Sequence, residues 1–196
     1  MTGYPSIDKP WLKYYSDEAI NAEVPQCTVY EYLYKNNVEY KENIALTYFK
    51  RRITYSELLK NIDKVANALS AYEINVGDIV TRITVTTPEI VYAFYEINKI
   101  GAISNWLDLK KSVEEVRKIL IDTKTKFCFI LDNLLERFKK VLDELNLYVI
   151  VIYISDSLPF LPKLIMSFKN IKTPNSERYI TYKNFVEKYE KLTNVR

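Results

Sequence analysis

The 196-residue chain contains no histidine. A Ser-His-Asp triad, a Cys-His dyad and a His-ligated zinc are therefore excluded, because each uses imidazole as base or ligand. Its two cysteines are Cys27 and Cys128. Cys128 lies inside the apolar run Phe127 to Leu131, which marks it as a buried, reduced filler residue rather than a nucleophile. Metal binding by carboxylates alone needs clustered Asp and Glu, and the sequence has no such run. Phosphate binding at a helix start needs glycines that let backbone N–H groups approach the oxygens. Only Gly3, Gly77 and Gly101 are present, so neither G-x-G-x-x-G nor a Walker loop can be written. That disfavours a dinucleotide-binding Rossmann domain. Glu57 follows Thr54 by three residues and reads as a capping carboxylate, not a general base.

Net charge is +3, which gives no electrostatic case for nucleic acid. The charge is uneven: Ser157 to Arg196 holds eight Lys and Arg against three Asp and Glu. Such a basic tail reads first as a solvated face and second as a phosphate-facing surface. The longest apolar runs, Phe127–Leu131 and Leu147–Ile154, fall far short of the roughly 20 residues of a membrane span. The N-terminus lacks a basic region followed by an apolar one, so it does not read as a signal peptide. The expected location is cytoplasmic.

The elements that would position any chemistry follow from periodicity. Residues 1–27 hold Pro5, Pro10 and Pro25 without sustained period, and read as an arm that packs across the body. Thr28 caps a helix over Val29–Tyr34. Asn43–Phe49 is β-like, with Lys50-Arg51-Arg52 as its turn. Thr54 and Glu57 form a capping box before a helix whose Leu58, Ile62, Val65, Leu69 and Tyr72 share one face. Ile79–Val85 is a strand. Thr87 then caps a helix with Pro88 at its first position, and Ile90, Phe94 and Ile97 as its buried stripe. Gly101 closes that helix before the short strand Ala102–Ser104. Ser112 and Glu115 repeat the capping box ahead of Val116, Ile119 and Leu120. Phe127–Leu131 is a strand, Leu134–Leu145 a helix and Tyr148–Ile154 a strand. Pro159, Pro162 and Pro174 punctuate a loop, and Ile180–Tyr189 is a last helix. The alternation predicts an α/β fold, a mostly parallel sheet flanked by helices on both faces. The chain divides into an arm (1–27), an α/β lobe (28–156) and a loop with helix (157–196).

Two constellations resemble the core motifs of the AMP-forming, adenylate-forming superfamily. Ile53-Thr54-Tyr55-Ser56-Glu57-Leu58 is similar to its first motif, with Gly77-Asp78 as the following turn. Lys99-Ile100-Gly101-Ala102 through Leu107-Asp108 is similar to its second, and Thr87-Pro88-Glu89 lies between them. The opening Gly3–Tyr15 resembles acyl-CoA ligase leaders. Trp106 and Leu109 stand where the family often has Pro, which bears on the geometry of the loop over Asn105–Leu109. Glu73 stands near a family Gly at a left-handed helix end, so this helix is expected to end differently.

The resemblance implies the N-terminal portion of an acyl-CoA synthetase. Thr54, Tyr55, Glu57, Leu58, Gly77, Asp78, Gly101 and Asp108 would be structural motif residues. ATP, Mg2+ and CoA would belong to the longer parent, whose phosphate loop, ribose-binding Asp and catalytic Lys this sequence lacks. The chain would be a scaffold lobe, inactive alone, with no catalytic, cofactor-binding or metal-binding residue of its own. Its partners would be the remaining lobe, the C-terminal domain and a carboxylic acid. Thr86, Thr87 and Asn105 fall at carboxyl ends of strands, where ligands collect in parallel sheets, and are the substrate-pocket candidates. Two other readings stay open. One is a stand-alone assembly module using its seventeen tyrosines. The other is a CoA or nucleotide binder using Lys163, Lys169 and Lys172.

Overall fold

The computed structural model describes residues 2–70, 72–158, 172–174 and 176–193. Pro159, Pro162, Lys163 and Lys169 lie outside the described residues. The arm holds single helical turns at Pro5–Asp8 (α1), Leu12–Tyr14 and Asp17–Ile20 (α2). The expected packing of the arm across the body is absent: its described residues are exposed, with only Asp8 and Leu12 partly shielded.

Next come α3 (Val29–Asn37) and a hairpin of β1 (Ile44–Tyr48) and β2 (Arg51–Thr54), antiparallel to each other. The turn is Phe49–Lys50, not Lys50-Arg51-Arg52. Both turn residues have positive φ, 46° and 68°, the twist that a two-residue hairpin loop requires. Arg51 and Arg52 therefore belong to the strand.

The chain then alternates through α4 (Tyr55–Ser70), β3 (Ile79–Ile83), α5 (Pro88–Lys99), β4 (Ile103–Trp106), α6 (Val113–Asp122), β5 (Phe127–Leu131), α7 (Asp132–Glu144) and β6 (Tyr148–Ile152). A single turn, α8 (Ile154–Ser157), follows, so Ile154 is helical rather than extended. β7 (Tyr179–Thr181) and α9 (Tyr182–Thr193) complete the order. Ile180 is thus a strand residue paired with Ile150, and the last helix begins two residues later than its sequence suggests.

β3 to β7 form one parallel sheet in the order β4-β3-β5-β6-β7. Parallel strands need crossover helices, and these cover both faces. Alternate residues of β5 serve different cores. Phe127, Phe129 and Leu131 pack with Leu58, Ile62 and Leu69 of α4, Ile90, Ala93 and Ile97 of α5 and Phe185 of α9. Cys128 and Ile130 pack with Val116 and Leu120 of α6 and Leu135, Phe138 and Val141 of α7. Phe94, expected in the buried stripe of α5, is only half-buried, and Ala93 takes its place. Phe185 is fully enclosed, so the segment after Ser157 returns to the same core.

Helix ends explain themselves locally. The Thr28–Glu31 and Ser112–Glu115 boxes are both reciprocal, with backbone N–H to hydroxyl distances of 3.1 and 3.2 Å. Thr54 caps Glu57 N–H at 3.2 Å, but the Glu57 carboxylate turns to Arg51 at 2.5 Å. Glu73 does adopt the left-handed conformation, φ 54°. The departure expected there is therefore absent, and the strain a glycine would relieve is retained.

Candidate functional site

The turn that continues the first family-like motif and the glycine that opens the second meet at the amino end of the sheet, whereas Thr54 to Leu58 lie on β2 and α4 and Asp108 follows the carboxyl end of β4. Gly77 N–H donates to Gly101 O at 2.9 Å, and Ile103 N–H to Asp78 O at 2.8 Å. The Asp78 carboxylate accepts Asn75 N–H at 2.8 Å. Gly101 has φ +76°, and a Cβ there would stand 3.1 Å from a Val76 methyl. Its bareness serves this close approach of two turns. Gly3 N–H is already accepted by Asp8 at 2.8 Å. The three glycines therefore do not form a cradle for phosphates, and among the described residues no cluster of Cys, Asp and Glu converges to hold a metal ion. Among the described residues, neither these glycines nor the acidic side chains fit a bound nucleotide with its magnesium ion.

Asp108 shapes the β4–α6 loop. Its carboxylate accepts Lys110 N–H at 2.9 Å, its carbonyl accepts Lys111 N–H at 3.1 Å, and Arg137 of α7 donates to Leu109 O at 3.0 Å and to Lys111 O. A side-chain turn and a guanidinium tie thus hold the loop where prolines are absent.

The carboxyl end of the sheet holds Thr86, Thr87 and Asn105, but they do not converge. Thr86 is exposed in the β3–α5 loop. Thr87 is 1% exposed, and its hydroxyl accepts Ile90 N–H at 3.4 Å. Asn105 donates to Thr81 Oγ1 at 3.1 Å, and hydroxyl contacts continue from Thr81 to Thr125 at 2.7 Å and on to Thr123 at 2.8 Å. That chain pins β4, β3 and the start of β5 in register on the α6–α7 face. Lys172 is exposed.

Beside these lies a cleft of about 440 Å³ that sequence reasoning did not single out. It is lined by Arg51, Asn61, Glu89, Tyr92, Asp156 and Tyr182 among others. Three of these follow the carboxyl ends of β3, β6 and β7. Glu89 accepts the Ser157 hydroxyl, and Arg51 is held by Glu57. Burial pushes the phenols of Tyr92 and Tyr182 well above their ordinary value, so both stay protonated hydrogen-bond donors at neutral pH. The cleft offers hydrogen bonds of both polarities. Among the described residues it holds no nucleophile joined to a base.

A second feature is a charge inside the sheet. Arg82 of β3 is 0% exposed, and its Nε, Nη1 and Nη2 have no hydrogen-bond acceptor among the described residues. Its guanidinium carbon lies 3.9 Å from the Trp106 ring centre and 5.2 Å from that of Phe94. Burial lowers its pKa to about 9. A desolvated cation–π contact contributes about 2 kcal/mol, whereas desolvating a cation costs several kcal/mol. Stacking alone leaves Arg82 undercompensated. The sequence did carry a signal here, a cation interrupting the apolar strand Ile79–Val85.

Among the described residues no helix is long and apolar enough to cross a membrane. The family model for AMP-binding enzymes matches residues 33–191. The acetyl-coenzyme A synthetase of Allorhizobium ampelinum is 31% identical over 86 residues, 44% of this chain and 13% of the relative. The 3-hydroxybenzoate–CoA/4-hydroxybenzoate–CoA ligase of Thauera aromatica is 27% identical over 129 residues, 66% of this chain and 24% of the relative. The crystal structure of the anthranilate CoA ligase AuaEII with anthranoyl-AMP superposes with TM-score 0.67 at 20% identity, over 85% of this chain and 29% of that one. That of a benzoate CoA ligase from Burkholderia xenovorans gives 0.63 at 13%, over 82% and 28%. These structural likenesses bear on the fold, and the chain spans less than a quarter of the length of these two curated relatives. The match over most of the chain, on a parallel sheet whose Gly77-Asp78 and Gly101 turns pack together at its amino end, places the protein in the AMP-binding enzyme family.

Proposed function

We propose that this chain is the scaffold lobe of an ATP-dependent, AMP-forming acid–CoA ligase. The carrying observation is the family match over residues 33–191 on a chain covering only 13% and 24% of two curated relatives. In such a ligase a carboxylate attacks the ATP α-phosphate to give an acyl-adenylate and pyrophosphate, and the CoA thiol then displaces AMP. Stabilising that transfer needs donors and cations aimed at the phosphoryl oxygens. Here the glycines are committed to turn packing or to Asp8, and among the described residues the cleft lacks an activated nucleophile. The phosphate chemistry therefore belongs to the rest of a longer protein, with ATP, magnesium and CoA as its ligands.

This lobe contributes the wall on which the remainder docks. Thr86, exposed at the carboxyl end of β3, lines the acid pocket, while Thr87 and Asn105 hold the backbone around it. The test is equilibrium dialysis of the isolated chain with labelled ATP and magnesium. No saturable retention is expected, and saturable binding would overturn the scaffold assignment.

A further inference from the structure

Ser104 shares the predicament of Arg82. Its hydroxyl is enclosed and has no hydrogen-bond partner among the described residues. The register pairs Val80 with Ser104 and Arg82 with Trp106, so Ser104 and Arg82 are diagonal neighbours on adjacent strands. Val80 packs in the α4–α5 core, which puts Ser104, Arg82 and Trp106 on that face. Arg82 thus holds a planar fan of N–H donors against the Trp106 and Phe94 rings, with the enclosed Ser104 hydroxyl at the diagonal position on β4. Trp106 is 43% exposed on a strand that ends the sheet, so its ring stands between Arg82 and solvent.

We propose that Arg82 and Ser104 form a binding site for a carboxylate monoanion, with Trp106 as its movable cover. The guanidinium fork matches a carboxylate's two oxygens, and the serine hydroxyl supplies a further donor. A single cation between two aromatic rings neutralises one negative charge. A phosphate dianion would carry an uncompensated charge into the same dry surroundings. An exposed ring can change rotamer on the nanosecond scale, which opens the path to the guanidinium. The site needs neither ATP nor CoA, so it stands or falls separately from the ligase assignment.

The experiment uses the 196-residue chain carrying Trp11→Phe, which leaves Trp106 as its one tryptophan. Benzoate is titrated at constant ionic strength up to about 50 mM, a range that reaches millimolar dissociation constants. A saturable change in Trp106 emission is expected. It should vanish in Arg82→Met and weaken at least about fivefold in Ser104→Ala. Benzamide, of the same shape without the charge, and inorganic phosphate, titrated at a pH where the dianion predominates, should leave the emission unchanged. No saturable response to benzoate, an equal response to benzamide or phosphate, or an undiminished response in Arg82→Met overturns the site. Should Arg82→Met fail to fold, Arg82→Lys keeps the charge and loses the fork, and benzoate binding as tight as in the parent would likewise refute it.

Discussion

Glu96 offers a sharp physical test of the fold. It lies on α5, is 0% exposed, and neither carboxylate oxygen has a hydrogen-bond partner among the described residues. Burial raises its pKa from 4.5 to about 7, with Lys99 pulling the value down and Asp63 pushing it up. Lys99 of α5 and Asp63 of α4 are themselves paired at 2.7 Å, so Asp63 offsets part of the lysine's pull on Glu96. The folded state therefore holds a proton between about pH 4.5 and 7 that the unfolded chain has released. With fewer protons on the unfolded state, stability falls as pH rises through that window and is flat for this group above it. The rise from 4.5 to about 7 corresponds to roughly 3 kcal/mol as an upper bound. Glu96→Gln keeps the shape and removes the titration. Urea unfolding at pH 5 and pH 8 should show the variant near wild type at pH 5 and about 1–3 kcal/mol more stable at pH 8. Equal differences at the two pH values would show that Glu96 is not the buried, undercompensated acid described here.

Four further outcomes follow from particular contacts. Glu73→Gly relieves about 1–2 kcal/mol of left-handed strain but adds about 0.4–1 kcal/mol of unfolded-state freedom, so the unfolding free energy from urea melts should rise by a net of about 0.5–1 kcal/mol. Thr81→Val removes the acceptor of Asn105 and a partner of Thr125, and should cost about 1–3 kcal/mol in the same assay. Phe185→Ala empties the contact of α9 with β5 and α4, and a loss of about 3–5 kcal/mol is expected. Burial raises the Cys128 thiol well above its ordinary value, while Cys27 is exposed. A thiol reagent should modify one cysteine in the native chain and both in urea, and rapid native modification of Cys128 would contradict the buried β5.

What the sequence revealed and what it hid divide by range. The Ser112–Glu115 box, the Thr28 cap and the Thr87-Pro88 start are local chemistry, complete within four residues. The parallel sheet was legible because Phe127–Leu131 and Tyr148–Ile152 must be apolar on both faces. Phe49–Lys50 was missed because nothing in those two side chains advertises positive φ, which the hairpin imposes. The strand at Tyr179–Thr181 was hidden because it is short, and its identity comes from pairing with β6 and from ties to α7. Tyr179 donates to Asp143 at 2.8 Å, and Arg178 to Asn146 Oδ1 at 2.9 Å. Glu73 looked incompatible with its position, yet packing around Tyr72 overrides that cost. Its ring meets those of Phe127, Tyr148 and Phe185 at 5.2, 5.4 and 5.7 Å. The cleft is assembled from separate strands and helices and no spacing along the chain records it, whereas Arg82 shows in the sequence only as a cation within an apolar strand.

We propose that this lobe braces adenylation without performing it. Its most direct test is carboxylate-dependent ATP–pyrophosphate exchange, run on the isolated chain and on the polypeptide read from the source DNA across and beyond Arg196. Background exchange from the isolated chain and carboxylate-dependent exchange from the longer polypeptide are expected. Exchange by the isolated chain, or none above background from the longer polypeptide, would contradict the account.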